Sequence, residues 1–389
     1  MKKGISTRCV HAGEEPEPTT GAIGTPIFQN TTFLYPNPEP DAILGKRVGD
    51  YYIYTRYNNP TIEALEAKVA DLEGGEGAVA FSSGMAAIST TLLTLAGEGG
   101  HIVSARDLYG GTYTLMGSIL PKLGIEVTFV DTRDTDGFWK ALRDDTRLVY
   151  CESITNPVLK VADIPELAEI AHGKEVPLVV DATFATPVNQ SPLDLGADVV
   201  VHSGTKYLGG HGDVTGGVAV ASDQVAHQIR DRMIFYGGCI DPAAAWLMMR
   251  GLKTMELRVA RQNANARWLA DWMESQDKVA SVLYPELESH PDHEVAQRVL
   301  RGGGGMVTFD LGDLDACHRC LEGFQVITVA ASLGGVESLV SLPVETSHWE
   351  LDAEERASLG IYDGHVRLSV GVEDLTDLMS DLERGLERV

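Results

Sequence analysis

The alternation of short apolar runs with helical segments between residues 59 and about 250 restricts the fold of this chain more than any other feature. Runs rich in β-branched residues, such as "PLVVD" and "DVVVHS", alternate with segments of helical spacing, such as "PTIEALEAKVADLEG" and "DIPELAEIAHG". Elements that alternate in this way usually form parallel strands joined by helical crossovers. The sequence therefore predicts an α/β domain with a mostly parallel central sheet flanked by helices.

The segments on either side of this region have different patterns. Residues 1–58 contain Pro and Gly punctuation, as in "EEPEPTTGAIGTP" and "YPNPEPD", and little periodicity, which favours an extended arm. After residue 250, the helical stretch "TMELRVARQNANARWLADWMES" precedes a few strands, including "GMVTFDL" and "HVRLSVG". We therefore expect an N-terminal arm over 1–58, an α/β domain over 59–250 and a smaller α+β domain over 251–389.

Charge and composition exclude several classes of function. The net charge of −25 repels phosphate backbones and anionic lipids, so we expect no nucleic-acid or membrane partner. The start "MKKGISTRCVHAGEEPEP" lacks the apolar core of a signal peptide, and no run of about 18 apolar residues occurs. The five cysteines are scattered and do not resemble a disulfide framework. These features predict a cytoplasmic protein.

Two short motifs resemble metal sites only weakly. The CxxC of "CHRC", at Cys317 and Cys320, has no second CxxC at zinc-site spacing. The loop "HPDHE", at residues 290–294, has two histidines three positions apart beside a proline. Neither pattern supplies a full ligand set, so we predict no metal.

Several predicted strands are followed by residues that can take part in catalysis or binding. In open parallel sheets, ligands bind at the carboxyl ends of the strands, so these residues are expected to lie together. They are Ser83, Gly84 and Met85 after "GAVAF", Tyr109 after "HIVSA", Asn156 after "RLVYCES", Asp181 at the end of "PLVVD", and Lys206 after "DVVVHS".

The chemistry of this set fits one cofactor. The stretch "FSSGMAAISTTLLTL" joins a strand to a helix through small residues, which presents free amides and a positive helix end to an anion. Pyridoxal phosphate needs such an anion site, a carboxylate for its ring nitrogen, an aromatic ring to stack on, and a lysine for its aldehyde. Ser203 and Thr205 flank Lys206, where their hydroxyls can donate to the same phosphate. A Walker loop and a dinucleotide fingerprint are both absent, so a nicotinamide-dependent oxidoreductase is not expected.

Six motifs resemble those of the Cys/Met-metabolism family of pyridoxal-phosphate (PLP) enzymes, and the resemblance runs from about residue 5 to residue 385. The motifs are "YTRYNNPT", "DLYGGTY", "DATFATP", "HSGTKYLGGHGD", "RGLKT" and "SLGGVESL". This resemblance implies the aminotransferase-like fold (fold type I), PLP as cofactor, and a homo-oligomer, expected as dimers with shared active sites that pair into a tetramer. It implies γ-elimination or γ-replacement on sulfur amino acids or O-acyl-homoserine.

The resemblance also assigns roles to individual residues. Lys206 is expected to bond the cofactor and serve as the base, Asp181 to partner the pyridine nitrogen, and Tyr109 to stack on the ring and act as an acid. The other residues that it implies for cofactor binding in the same chain are Ser83, Gly84, Met85, Thr183, Ser203 and Thr205.

Two further groups of residues take their expected roles from the family. Tyr54 and Arg56, in "YTRYNNPT", match a pair that reaches into the neighbouring subunit's site to hold the phosphate. Arg367, in "HVRLSVG", matches the arginine that binds the substrate carboxylate, with Asn156 and Ser332 beside it.

The substrate is less well defined by the resemblance. The residue before the serine of "SLGG" is glutamate in many cystathionine γ-synthases and γ-lyases, tyrosine in bacterial β-lyases and valine in common methionine γ-lyases, but Ala331 here. Gly111 stands where well-known methionine γ-lyases have cysteine, and the Ser-x-Trp of "VETSHWEL" is similar to plant-type γ-synthases. We expect a cystathionine γ-synthase or γ-lyase type of enzyme, with methionine γ-lyase or homoserine-ester sulfhydrylase activity as the alternative.

Overall fold

Two β-sheets organise the computed structural model, which describes residues 3–34, 52–349 and 351–389. The larger sheet has seven strands in the order β1-β7-β6-β5-β4-β2-β3. Its strands are β1 (Gly77–Phe81), β2 (His101–Ala105), β3 (Glu126–Val130), β4 (Thr146–Glu152), β5 (Leu178–Asp181), β6 (Val199–Ser203) and β7 (Gly217–Ala221).

The prediction of a mostly parallel sheet is confirmed, and β7 is the exception. Strands β2 to β6 pair in parallel, whereas β7 runs antiparallel to both β6 and β1. The run "GGVAVA" gives no sign of this direction because β7 is buried along its whole length, like the parallel strands beside it. The loop 204–216, which carries Lys206, joins β6 to β7 without a helical crossover.

Helices cover the larger sheet and connect its strands. The helix Pro60–Glu73 begins with Asn59 as the N-cap, whose side chain accepts a hydrogen bond from the amide of Thr61, and ends at Gly74 in the left-handed region. The helices up to residue 252 are α1 (Ile5–His11), α2 (Pro60–Glu73), α3 (Gly84–Ala96), α4 (Gly110–Thr114), α5 (Thr135–Ala141), α6 (Ile164–His172), α7 (Thr186–Asn189), α8 (Asp223–Tyr236) and α9 (Pro242–Leu252). Short π and 3₁₀ turns occur at Leu115–Ile119, Leu120–Leu123 and Pro192–Leu195.

The second sheet has five strands in the order β10-β11-β12-β9-β8. Its strands are β8 (Ser281–Leu283), β9 (Met306–Asp310), β10 (Thr328–Val329), β11 (Leu339–Ser341) and β12 (His365–Ser369). The helices around it are α10 (Met255–Glu274), α11 (His293–Val299), α12 (Leu314–Leu321), α13 (Ala353–Ser358) and α14 (Leu375–Glu387), with a 3₁₀ turn at Pro343–Glu345. The two sheets fall on either side of residue 250, and the domain boundary itself stays a prediction.

The predicted N-terminal arm contains one short helix, α1, that the sequence analysis did not anticipate. Cys9 of α1 is buried, and the amine of Lys68 on α2 donates to its backbone carbonyl at 3.0 Å. Lys68 also forms an ion pair with Glu14 at 3.0 Å, and both side chains are buried. These contacts fix the first part of the arm on α2. Residues 35–51, which include "YPNPEPD", lie outside the described residues.

The structure also bears on the cysteines and on membrane insertion. All five cysteines are free, and burial raises the pKa of Cys317 and Cys320 to about 12. In the three described ranges, no helix has the length and apolar character needed to span a bilayer.

Candidate active site

A cavity of about 780 Å³ lies at the carboxyl ends of the central strands and is also lined by residues of the C-terminal part of the chain that contains the smaller sheet, here called the smaller lobe. It brings together every predicted site residue except Tyr54 and Arg56. The predicted residues that line it are Ser83, Gly84, Met85, Tyr109, Asn156, Asp181, Thr183, Ser203, Thr205, Lys206, Ser332 and Arg367.

One wall of the cavity is the N-terminus of helix α3. Ser83 is the N-cap, and its hydroxyl accepts a hydrogen bond from the amide of Ala86 at 3.1 Å. A Cβ on Gly84 would lie 2.8 Å from the Cβ of Ser203, so the helix end approaches the end of β6 as only glycine allows. The first amides of a helix have no partner within it, so this end and the nearby hydroxyls of Ser203 and Thr205 suit a phosphate.

Asp181 forms the buried end of the cavity. Its side chain is only slightly exposed, and its Oδ1 accepts hydrogen bonds from the amide of Thr183 at 2.9 Å and from the Thr183 hydroxyl at 2.5 Å. Burial raises the pKa of Asp181, although the bonds from Thr183 oppose that effect. A buried carboxylate favours a cationic partner, and the protonated ring nitrogen of PLP is such a group.

Lys206 reaches the cavity from the loop that follows β6. Its Nζ donates a hydrogen bond to Oγ of Ser332 at 2.9 Å. Desolvation lowers the pKa of Lys206, and the positive charge of Arg367 adds to this effect. Ser332 has a φ of +88°, which a non-glycine residue rarely adopts and which is typical of strained functional positions. Because its pKa is lowered, the Lys206 amine is easier to deprotonate than the amine of a surface lysine.

Arg367 projects from β12 and is nearly fully buried. Its Nη1 donates to Oδ1 of Asn156 at 3.0 Å, and its Nη2 donates to the carbonyl of Ser332 at 3.2 Å. Its Nε is also buried, and within the described residues it has no hydrogen-bond partner. Burial lowers the pKa of Arg367 to about 10. A buried guanidinium with an unused donor is suited to bind a ligand carboxylate.

Tyr109 presents a half-exposed ring to the cavity. Its backbone amide donates to Oε1 of Glu152 at 2.6 Å, which fixes the loop after β2 against the end of β4. A Cβ on Gly111 would lie 2.6 Å from the Tyr109 ring. The glycine at this position, which the sequence comparison singled out, therefore makes room for the ring.

The cavity also contains acidic and aromatic residues that the sequence analysis missed. Glu152 ends β4, and burial raises its pKa well above the usual range. Its position at a strand end is a signal that would have identified it. Glu345 and Trp349 line the cavity from the smaller lobe. The sequence analysis noted the Ser-x-Trp motif that contains Trp349, but it assigned neither residue to the site.

Tyr54 and Arg56 lie away from this cavity. Nη1 of Arg56 donates to the carbonyl of Ile234 at 2.7 Å, and its guanidinium lies over the rings of Tyr54 and Tyr57, 5.7 and 5.0 Å from their centroids. Their predicted role in a neighbouring subunit stays a prediction.

Hydrogen bonds to neighbouring groups hold the side chains of the "HPDHE" loop. The carboxylate of Asp292 accepts two bonds from Arg133, at 2.6 and 2.8 Å, and its amide donates to Nδ1 of His290 at 3.1 Å. In the part of the chain that the structure describes, no cluster of three His, Cys, Asp or Glu side chains is placed to hold a metal ion.

Comparisons with known proteins agree with this geometry. The family model described as "Cys/Met metabolism PLP-dependent enzyme" matches residues 6–387. A cystathionine gamma-lyase of Bacillus subtilis (strain 168) is 44% identical over 390 residues, covering 100% of both chains. An L-methionine gamma-lyase of Fusobacterium nucleatum subsp. nucleatum is 43% identical over 392 residues, covering 100% of this chain and 99% of the relative.

A third relative and a solved structure extend the comparison. A cystathionine beta-lyase of Lactococcus lactis subsp. cremoris (strain MG1363) is 43% identical over 385 residues and covers 99% of both chains. The structure of cystathionine gamma synthase from Xanthomonas oryzae pv. oryzae, in complex with aminoacrylate and cysteine, superposes with a TM-score of 0.93 at 36% identity. That match covers 100% of this chain and 99% of the other.

Proposed function

The chain belongs to the Cys/Met metabolism family of PLP-dependent enzymes, and on this premise we propose that it removes or replaces the substituent on the γ carbon of a sulfur amino acid or an O-acyl-homoserine, as a cystathionine γ-lyase or γ-synthase does. The observation that carries the proposal is the meeting of Lys206, Asp181 and Arg367 in one cavity. They supply a base, a buried carboxylate and an unused guanidinium donor, which together serve an α-amino acid bound to PLP.

Lys206 is the proposed base. PLP, when bound, accepts the electron pair that is released when a proton leaves the substrate's Cα. Desolvation keeps a larger share of the Lys206 amine neutral, so that its nitrogen can accept that proton. The hydroxyl of Ser332, 2.9 Å from Nζ, orients the amine. The same amine is then placed to move protons at Cα and Cβ.

The buried end of the cavity holds the cofactor. Oδ1 of Asp181, fixed by Thr183, is proposed to keep the ring nitrogen protonated. The amides of Gly84 and Met85 and the hydroxyls of Ser83, Ser203 and Thr205 are proposed to bind the phosphate. These neutral donors leave the phosphate charge to be matched by a cation from elsewhere.

We infer that this cation is Arg56 of a second copy, with Tyr54 beside it. Both residues lie outside the cavity of their own chain, and the guanidinium of Arg56 carries the positive charge that the proposed phosphate site lacks. The enzyme is then a homo-oligomer with sites shared between subunits, and we propose a tetramer. The five free cysteines support a reducing compartment, and we propose the cytoplasm.

Arg367 and Tyr109 complete the reaction. The unused Nε of Arg367, with the amide of Asn156, binds the substrate carboxylate and sets the position of the substrate relative to Lys206. The hydroxyl of Tyr109 protonates the sulfur that departs from Cγ. In elimination, water then completes conversion of the four-carbon product to 2-oxobutanoate and ammonia.

A substrate panel tests the reaction. L-cystathionine, L-methionine, L-homocysteine and O-acyl-homoserines, the last with and without cysteine, are supplied separately, and 2-oxobutanoate, pyruvate and cystathionine are quantified. We expect 2-oxobutanoate, or cystathionine when cysteine is the acceptor. Pyruvate as the main product would assign cleavage to the β carbon and overturn the proposal.

Methionine γ-cleavage is the second candidate. Ala331 contributes no charge to the cavity, and Ile154, Phe184 and Leu333 add apolar surface that suits a thioether with a methyl group. The same panel distinguishes the two, because each substrate is supplied separately and 2-oxobutanoate formed from L-methionine reports methionine cleavage.

A further inference from the structure

The segment from Pro343 to Trp349 forms a wall of the cavity opposite the cofactor-binding strands. Glu345, Thr346, Ser347 and Trp349 all line the cavity. The segment packs tightly on the Tyr109 loop, since a Cβ on Gly110 would lie 2.5 Å from the carbonyl oxygen of Ser347. Side chains of this wall therefore face whatever extends past the reacting carbons.

Glu345 has a fixed position relative to Arg367. The segment follows β11 directly, and Ser341 of β11 pairs with Arg367 of β12. The turn is held by a hydrogen bond from the amide of His348 to the carbonyl of Pro343 at 2.9 Å. One element of the smaller lobe thus positions both the proposed binder of the substrate carboxylate and a second charged side chain in the same cavity.

Among the residues that the structure describes, three carboxylates line the cavity, and of these only Glu345 is accessible to a substrate. Asp181 and Glu152 are buried, and each accepts hydrogen bonds from the protein. The side chain of Glu345 is 46% exposed. The cations that line the cavity, Lys206 and Arg367, already have roles at Cα and at the substrate carboxylate. The negative charge of Glu345 can therefore pair with a positively charged group in another part of the ligand.

A hydrogen bond holds the Glu345 carboxylate from outside. Its Oε1 lies 2.9 Å from Nε2 of His318 on helix α12. Within the described residues, its Oε2 makes no hydrogen bond. The carboxylate is anchored by one oxygen, and the other is available to a ligand.

We propose that Glu345 determines substrate specificity by binding the distal ammonium group of an amino acid that carries a second amino group beyond its sulfur, such as L-cystathionine. The inference rests on the proposed γ-carbon chemistry. Position 331 is alanine, so the space beside Ser332 offers no competing carboxylate. The carboxylate that many cystathionine enzymes of the family carry at that position is supplied here from the facing segment.

The test compares Glu345→Gln with wild type on two substrates that share the γ carbon. L-cystathionine has the distal ammonium group and L-methionine lacks it. Because Glu345 is partly solvated, we expect kcat/KM for cystathionine to fall about 5- to 30-fold, mainly through KM, with kcat/KM for methionine unchanged or raised. Equal effects on both substrates, or no effect on either, overturn the proposal.

Two further variants sharpen the comparison. Glu322→Gln removes the same charge from an exposed residue of the same lobe, which is paired with Arg388, and is expected to leave both substrates unaffected. Adding Ala331→Glu to Glu345→Gln returns a carboxylate to the distal end and is expected to restore cystathionine use. If Glu345→Gln alone uses cystathionine as well as wild type does, the distal ammonium group is bound elsewhere.

A binding measurement separates this inference from the proposed reaction. L-cystathionine is titrated by calorimetry into the PLP-loaded Lys206→Ala protein, with and without Glu345→Gln. A larger Kd in the protein that also carries Glu345→Gln supports the role of Glu345 in binding, even if the panel yields pyruvate and the γ assignment fails. An unchanged Kd overturns the role of Glu345 even if 2-oxobutanoate is the product.

Discussion

Nζ of Lys206 lies 2.9 Å from Oγ of Ser332, so residues 126 positions apart in the chain meet at the centre of the cavity. Lys206 belongs to the loop after β6 and Ser332 to the smaller lobe. The contact positions the amine between the proposed cofactor site and the substrate site.

Lys206→Ala should abolish turnover, with a loss of at least about 10²- to 10⁴-fold, because it removes both the bond to PLP and the base. The wild-type protein should be yellow, and borohydride reduction followed by peptide mapping should find the cofactor on Lys206. Lys122→Ala, at an exposed lysine, is the control. Cofactor recovered on another lysine would refute the assignment.

Mixing Arg56→Ala with Lys206→Ala should restore activity, because a mixed dimer contains one site with both intact residues. Each variant alone should be nearly inactive, and random exchange in an equal mixture should return about a quarter of the sites. Activity is measured before and after the subunits exchange. As a control, Lys206→Ala is mixed with the Arg56→Ala/Lys206→Ala double variant. This mixture contains no intact Lys206 and should stay inactive. If exchange is demonstrated and no activity returns, the sites are not shared.

Arg367→Lys should raise KM about 10- to 100-fold with a smaller effect on kcat, because an ammonium keeps the charge but loses the planar fork that contacts Asn156 and the substrate. Steady-state kinetics on the preferred substrate measures this split. Arg319→Lys, at an exposed arginine, should behave as wild type. A wild-type KM in Arg367→Lys would place the substrate carboxylate elsewhere.

Stability should fall as the pH decreases from about 7 to 4, in part through His290. Burial lowers the pKa of His290 to about 4 in the folded protein, so the unfolded chain binds more protons between that value and the ordinary histidine pKa of about 6.5. The contribution is present above pH 6.5 and is lost through the window below it, amounting to about 2 kcal/mol at pH 5.

His290→Asn should remove the contribution of His290 to the pH dependence of stability. The amide oxygen of asparagine can still accept a hydrogen bond from the Asp292 amide, but it does not titrate. Urea unfolding at pH 8 and pH 5 gives the free energy of unfolding for each protein. The exposed His227→Asn is the control. A pH dependence of unfolding that is the same in His290→Asn and wild type would contradict the prediction.

Much of the site could be predicted because the strand ends are visible in the sequence. Asp181 and Lys206 each follow an apolar run, and parallel strands bring such positions to one edge of a sheet. The direction of β7 could not be predicted, because a strand buried on both faces has the same apolar pattern whichever way it runs.

Glu345 was missed for a different physical reason. It ends a three-residue 3₁₀ turn, where side-chain direction depends on the packing of the following Ser347 against Gly110 and on the register of β11 with β12. Neither contact has a local sequence pattern. The unused Nε of Arg367 is equally invisible before the folded structure is known, since it depends on the positions of Asn156 and Ser332.

The separation of the two ends of the cavity affects how the substrate range of such an enzyme can change during evolution. Asp181 and Arg367 lie on strands and Gly84 at a helix terminus, whereas the distal wall at residues 343–349 is a connection between strands. Connections tolerate substitution far better than the elements that they join. Mutational drift in this wall can therefore explore new sulfur compounds while the shared chemistry is inherited intact, which makes the segment the natural place to randomise in directed evolution.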